Sequence, residues 1–422
     1  MTPAELALAL QPLSYFNTLA DRGAGLIEIR TQPQPRILVS DPKAIGAIWQ
    51  TDRTLQHPGS RSFRPVLGEH SLIWMDGDRH RDYRKVLNGP LARDLDTYRA
   101  MIAGIIDQSI ATLTAGTEVP LADWTRTVAM RVMSTFVFGT VDDEVVEPFT
   151  HWMDQAIGSR PRTLAYRYLR GGLPTADQQL NHALVRHAKR AADRDPRTLA
   201  AHLLAPDGPL AAIRDGDRRD QELRDQLVTL LFAGHETTAS TAAWALVWLH
   251  RYPDIAERVR AELSHVPDDG IAPGSAPLLH AVISETLRLT PPVPAAGTRR
   301  LTEARELGTR RFAAGTIVTP HIYVTHRRPA VFNQPQRFDP HRFLDARGRF
   351  RRPPIDEYFP FGGGSRRCPG AQLGQLEVAM ILIRALRHMD LEMREPRGSN
   401  EQLRGHTMAP SPRVRLRVLA KH

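Results

Sequence analysis

Apolar residues along this chain recur mostly three and four positions apart, with short strand-like stretches early and late. Residues 26–30 and 36–39 read as two short strands joined by Thr31-Gln32-Pro33-Gln34-Pro35. Ser40-Asp41-Pro42 then opens a helix through Ile45, Ile48 and Trp49, with a capping side chain and a proline whose missing N–H is not needed in a first turn. From Asp76 to about Asp269 the spacing is helical, most clearly over residues 121–138, 179–192 and 223–250. Strand-like pieces return at 306–307, 316–319 and 322–324. The pattern predicts a mainly α protein with a small β region contributed from both ends of the sequence.

A chain of 422 residues is long enough for two or three domains, but no linker divides it. There is no Gly/Ser tract and no internal repeat, and the proline clusters at 291–294 and 353–354 are short. The charged run 214–225 reads as a solvated loop leading into a helix. One compact domain over residues 1–422 is expected. An apolar patch at 6–10 is flanked by Glu5 and Gln11 with no basic segment before it, so no secretory signal is expected. The most apolar long stretch, 227–249, carries His235, Glu236 and several threonines. A carboxylate at mid-bilayer costs roughly 2.5–3.5 kcal/mol, so this stretch reads as a buried helix of a soluble, cytoplasmic protein with no membrane anchor. A monomer is expected.

The net charge of +10 raises the question of nucleic acid. The arginines are spread throughout, aromatic residues are only 6%, and no zinc-finger spacing is present. These features favour an arginine-rich enzyme over a nucleic-acid binder.

Candidate chemistry centres on Cys368, the sole cysteine, in Phe361-Gly-Gly-Gly-Ser-Arg-Arg-Cys-Pro-Gly370. One cysteine excludes an intrachain disulfide and a four-sulfur zinc site. It remains compatible with the single axial thiolate of a haem, or with a buried structural thiol. Gly362, Gly363 and Gly364 permit a tight turn, and Pro369 is placed for the first turn of a helix through Gln372, Leu376 and Met380. A helix N-terminus with Arg366 and Arg367 beside it would favour a thiolate.

In the long helix, Ala233-Gly234-His235-Glu236-Thr237-Thr238 interrupts the apolar pattern. Gly234 costs about 1 kcal/mol of helix propensity, and a buried Glu and Thr need partners. The segment therefore suggests close approach by a ligand and a polar notch, with back-bonding to a helical carbonyl as the structural alternative for Thr237. His80 and Arg84 lie four apart on one helical face. Glu285 and Arg288 are three apart, a spacing that on a surface is worth only about 0.2–0.5 kcal/mol.

These segments resemble cytochromes P-450. Phe361, Gly364, Arg366, Cys368 and Gly370 fill the five fixed positions of that family's ligand loop, and Leu373-Gly374-x-x-Glu377 departs from its Leu-Ala-x-x-Glu by one small residue. The resemblance implies the mainly α cytochrome P-450 fold and haem b (iron protoporphyrin IX) with Cys368 as the iron's axial ligand. It places Phe361 near the sulfur and Arg366 at a propionate. His80, Arg84 and Arg299 become further propionate partners, with Trp74 a third candidate donor on the first side and Arg300 a one-residue alternative to Arg299. Ala233 and Gly234 fall in the oxygen-binding groove. Thr237 would hydrogen-bond the activated oxygen, and Glu236 would relay protons to it. Glu285, Arg288 and Arg342 match a structural network, although His341 replaces the Glu usual before that last arginine.

The implied activity is a haem-thiolate monooxygenase that hydroxylates or epoxidises a lipophilic small molecule with O2. A terpenoid or other secondary metabolite is preferred over a fatty acid, steroid or polyketide-like compound. Electrons would come from NAD(P)H through a separate ferredoxin or flavodoxin with its reductase. Such an acidic donor would dock on Arg79, Arg81, Lys85, Arg366 and Arg367. Specificity is expected from residues 54–73, including Phe63, Val66, Leu67, Leu72 and Ile73. A second group is expected within 158–184, including Leu164, Tyr166, Tyr168, Leu169 and Leu173. Pro294, Ala295 and Ala296 would complete the pocket. The alternatives are a peroxide-using haem enzyme or isomerase on the same fold, and a non-catalytic basic binding protein.

Overall fold

The computed structural model describes residues 11–29, 35–59, 63–93, 95–266, 275–395, 401–404 and 407–422. The apolar patch 6–10, Arg30 and most of the 31–35 connection fall outside them.

The centre of the molecule is the helix Gly216–Arg251. Its second half is buried almost all round, which explains why its apolar pattern reads as continuous and not as a stripe. Helices Leu121–Phe138, Pro277–Leu289 and Ala371–His388 share one apolar core with it. Among the described residues, no helix is long and apolar enough to cross a membrane.

The small β region joins distant parts of the chain. Strands β1 (Leu26–Ile29) and β2 (Arg36–Val39) pair antiparallel, with Leu26 opposite Val39. Two further short strands, β3 (Glu118–Pro120) and β4 (Arg299–Arg300), lie far apart in sequence. Beyond the hairpin of β5 (Arg305–Leu307) and β6 (Arg310–Phe312), β7 (Ile317–Pro320) runs parallel to β2. On its other edge β7 takes β4, with Arg299 opposite Val318. This sheet carries Arg299 into the interior beside the N-terminal segment. A second sheet sets β3 and β8 (Met389–Arg394) on either side of β9 (Arg415–Lys421).

Three expectations change. The charged run 214–225 is helix from Gly216 onward, started by Asp215, whose side chain accepts from Asp217 and Arg218 N–H. It is also not solvated throughout: buried Glu222 pairs with Arg79 and takes the Tyr83 hydroxyl at 2.6 Å, and buried Asp225 accepts from His70 N–H at 2.9 Å. Residues 322–324 form a helical turn, Ile322–Thr325, because His321 Nδ1 accepts the Val324 N–H and overrides the β preference of Ile, Tyr and Val. Pro369 lies outside its helix, which starts at Ala371 after Gly370.

Candidate active site

A cavity of about 380 Å³ lies where the long helix, the cysteine loop and the helix Gly77–Asn88 meet. The long helix contributes Ala233, Gly234, Thr237, Thr238 and Thr241. The loop contributes Phe361, Gly362, Arg366, Cys368 and Gly370, while His80, Arg84 and Arg299 add polar groups. Of the sequence-derived candidates for direct chemistry, Glu236 and the two secondary propionate candidates, Trp74 and Arg300, are absent from this lining.

The loop owes its shape to close contacts. Gly362 and Gly364 have φ of 67° and 66°, and Cys368 N–H donates to Phe361 O at 2.9 Å, closing the turn. A Cβ on Gly364 would lie 2.7 Å from Asp52 Cβ, and one on Gly363 would lie 2.6 Å from the Trp49 ring. Glycine is thus required by neighbours more than 300 positions away, as well as by φ. Cys368 is exposed only to the cavity and is otherwise enclosed by protein. Burial raises its thiol above the usual range, opposed by the Gly370 N–H and the charges of Arg84 and Arg367. The thiolate-favouring influences expected from the sequence are present, with Arg84 in place of Arg366, but burial outweighs them until a cation binds the sulfur.

Arg366 turns instead to Asp76 and the Met75 carbonyl. Arg299, 1% exposed, donates through Nε to Asp52 Oδ1 at 2.8 Å and through Nη2 to Gly363 O at 3.3 Å. Arg300 is tied through its backbone to Gln56 and does not line the cavity. His80 is buried, and desolvation first, then the charges of Arg366, Arg84 and His57, lower it to about 4. It therefore offers a neutral N–H, not a second cation. The Trp74 indole donates to Glu69 O at 2.9 Å, which removes it as a cavity donor. Among the described residues, neither the His80 nor the Arg84 side chain has a protein partner, and Arg366 Nε is buried without one. A soft sulfur ligand beside unpartnered donors and cations fits an anionic, metal-bearing cofactor such as haem.

The long-helix motif divides between two jobs. Thr237 lines the cavity while its hydroxyl back-bonds to Ala233 O at 2.8 Å. Glu236, 8% exposed, lies 3.0 Å from Arg126 Nη2, which also donates to Asp154 Oδ1 at 2.9 Å. Gly234 is explained by packing: a Cβ there would overlap Met133, itself a lining residue.

Glu285 and Arg288 are fully buried and bidentate at 2.6 and 2.8 Å. Arg342 Nε reaches Glu285 Oε1 at 3.3 Å, and Arg288 ties down the carbonyls of His326, Pro335 and Arg337. The trio assembles around backbone, away from the lining.

Several predicted specificity residues lie elsewhere. Leu72 and Ile73 line the cavity, whereas Val66 and Leu67 are core and the Phe63 ring packs against Phe232. Leu164, Tyr166, Leu169 and Leu173 do not line it, and Leu169 is 83% exposed. The side chain of Tyr168 and residues 60–62 fall outside the described set. Ala295 and Ala296 line the cavity, but Pro294 does not; its carbonyl accepts Tyr323 N–H at 2.9 Å.

Sequence reasoning missed His57, Asp52 and Glu377. His57 lines the cavity between Asp52 and Asp76. Glu377 also lines it, is fully buried, and has its carboxyl raised well above the usual range by desolvation. Glu377 stands in the Leu-x-x-x-Glu pattern after the cysteine and could have been flagged. His57 and Asp52 carry no local signal.

A sequence profile described as "Cytochrome P450" matches residues 5–418. Cytochrome P450 135B1 of Mycobacterium tuberculosis is 33% identical over 91% of this chain and 82% of its own length. Cyclooctat-9-en-7-ol 5-monooxygenase of Streptomyces melanosporofaciens is 30% identical over 89% and 84%. The structure of retinoic acid-bound cyanobacterial CYP120A1 superposes with a TM-score of 0.82 at 26% identity, covering 98% of this chain and 96% of that one.

Proposed function

Because this chain belongs to the cytochrome P450 family and is a P450 monooxygenase with a haem-thiolate cofactor, we propose that it oxygenates a lipophilic, terpenoid-like small molecule. The observation that carries this reading is the lining around Cys368. Leu72, Ile73, Leu230, Val293, Ala295 and Ala296 offer apolar contact with no fixed charge among them, so binding is by shape and burial. Two similar proteins carry compatible ligands in their names: cyclooctat-9-en-7-ol, an alkenol, and retinoic acid.

In this proposal Cys368 would hold the haem iron through its sulfur, and Phe361 would lie beside it. Arg84, Arg299 and Arg366, with the neutral His80, would hold the propionates. When bound, the haem supplies O2 activation and oxygen insertion, and the protein supplies orientation, dryness and protons. The Thr237 hydroxyl is one of the cavity-facing hydrogen-bonding groups of the long helix, beside Thr238 and Thr241, and Glu236 behind it is the proton source. Glu285, Arg288 and Arg342 brace the segment before the cysteine loop.

Electrons come from NAD(P)H through a separate ferredoxin or flavodoxin and its reductase, and the whole of 1–422 acts as one haem domain. The docking face is narrower than the sequence suggests, since Arg366 turns inward and Arg79 is held by Glu222, leaving Lys85, Arg367 and an exposed Arg81 that pairs with Asp78.

The reduced carbon-monoxide difference spectrum, run beside Cys368→Ser, tests the site. A strongly red-shifted Soret band lost in the variant is expected, followed by a spin-state shift on adding cyclic alkenols. A histidine-type band would overturn the ligand assignment. A thiolate band with spin shifts only from charged ligands would overturn the substrate class.

A further inference from the structure

His57, which lines the cavity, stands between two carboxylates behind it, Asp52 and Asp76. Its Nδ1 lies 2.6 Å from Asp76 Oδ1, and its Nε2 lies 3.4 Å from Asp52 Oδ1. Its backbone N–H also donates to Asp76 Oδ2 at 3.0 Å. Ionised carboxylates only accept, so a ring that serves both must donate from both nitrogens and carry a positive charge. Beyond each carboxylate sits an arginine: Arg299 on Asp52 at 2.8 Å, and Arg366 on Asp76. The result is a row of alternating charge, Arg299, Asp52, His57, Asp76, Arg366, buried from Arg299 to His57 and partly exposed at Asp76. Its hub, Asp52, is 1% exposed and also accepts the Ser365 N–H at 2.8 Å and hydroxyl at 2.6 Å.

We propose that His57 is a positioning residue for the cofactor's carboxylates: as an imidazolium it joins Asp52 to Asp76 and so fixes Arg299 and Arg366 as one rigid anion cradle. This rests on the haem reading above. Two arginines facing a cavity repel each other, and each already has a carboxylate of its own. Without the central cation the two carboxylates would face each other across His57, and the row would lose the charge that holds it together. The charge count agrees. With Arg84, which also faces the cavity, the cations exceed Asp52 and Asp76 by two, the charge of two ionised propionates. With a neutral His57 one propionate would lack its counter-charge. Through Ser365 the same row reaches to within three residues of Cys368, so the cradle and the ligand loop are positioned together.

The test compares His57→Gln and Asp76→Asn in the haem-loaded protein. The readouts are the rate of haem transfer to excess apomyoglobin and the midpoint potential, each with the carbon-monoxide spectrum as control. Asp76 is 44% exposed on its side chain, so its variant should fold even if the His57 variant does not. Both variants should lose haem at least tenfold faster. Their potentials should move in opposite directions, His57→Gln negative for a lost cation and Asp76→Asn positive for a lost anion. A merely structural role would move both the same way or neither. Unchanged haem transfer, or shifts of the same sign, in variants that keep the thiolate band would overturn the proposal alone. Absence of that band from the unsubstituted protein would overturn the haem reading and this inference with it.

Discussion

Arg126 holds the Glu236 carboxylate at 3.0 Å, in a position that does not line the cavity. The neighbouring Thr237 does line it, so the two adjacent residues of the motif are split between the cavity wall and a buried ion pair. To act as the proposed proton source, Glu236 would have to leave Arg126, or water would have to bridge the gap.

Glu236→Gln should lower turnover roughly 10²-fold or more, as expected for loss of a positioned proton donor. Thr237→Ala should instead keep electron consumption high and divert it to peroxide. The measurement is product and peroxide formed per NADPH consumed. Unchanged coupling in both variants would remove the pair from the proton path.

Arg288→Ala should cost roughly 3–5 kcal/mol, because it removes the bidentate partner of the fully buried Glu285 and leaves it only Arg342 and the Asp339 N–H. Arg288→Lys should recover little of it, since an ammonium cannot reproduce the bidentate fork or reach three carbonyls. Urea unfolding reads both, and a loss below about 1 kcal/mol would mean the network is not a brace.

Gly234→Ala should destabilise by about 1–3 kcal/mol through overlap with Met133. In combination with Met133→Ala the two effects should be less than additive. Additive losses in a double-mutant cycle would show that Gly234 is kept for a reason other than this contact.

Acid should loosen the cradle. Burial alone would raise Asp76, but the His57 ring and backbone hydrogen bonds, with the charges of His57 and Arg366, bring it down to about 2. Asp52 is lowered further by His57, Arg299 and Ser365 against its own desolvation. A depressed folded value stabilises the protein above the unfolded value near 4, and that contribution is lost as pH falls toward 2. The stability difference between the protein and Asp76→Asn should be level above pH 5 and shrink below pH 4. A difference that persists at pH 2.5 would contradict the assignment.

The ligand loop was legible because its information is local: Phe361, Gly364, Arg366, Cys368 and Gly370 fall within ten residues, and glycine and cysteine state their constraints directly. The same holds for Asp41-Pro42 and for the helix Leu121–Phe138. The misreadings share the opposite cause. Residues 322–324 looked like a strand until His321 capped them, and the run 214–225 looked solvated until Arg79 and Tyr83 came to Glu222.

By itself, then, the sequence determined the helical class, the single thiol with its glycine turn, and the residue types that approach the cavity. Only the tertiary structure decided that Glu236 belongs to Arg126, that Trp74 is spent on Glu69, and that His57 and Asp52 matter at all. The physical reason is range. Backbone constraints and helical faces act within a turn or two of chain, whereas the Asp52–Arg299 pair spans 247 positions and exists only because a parallel strand pair brings the ends together.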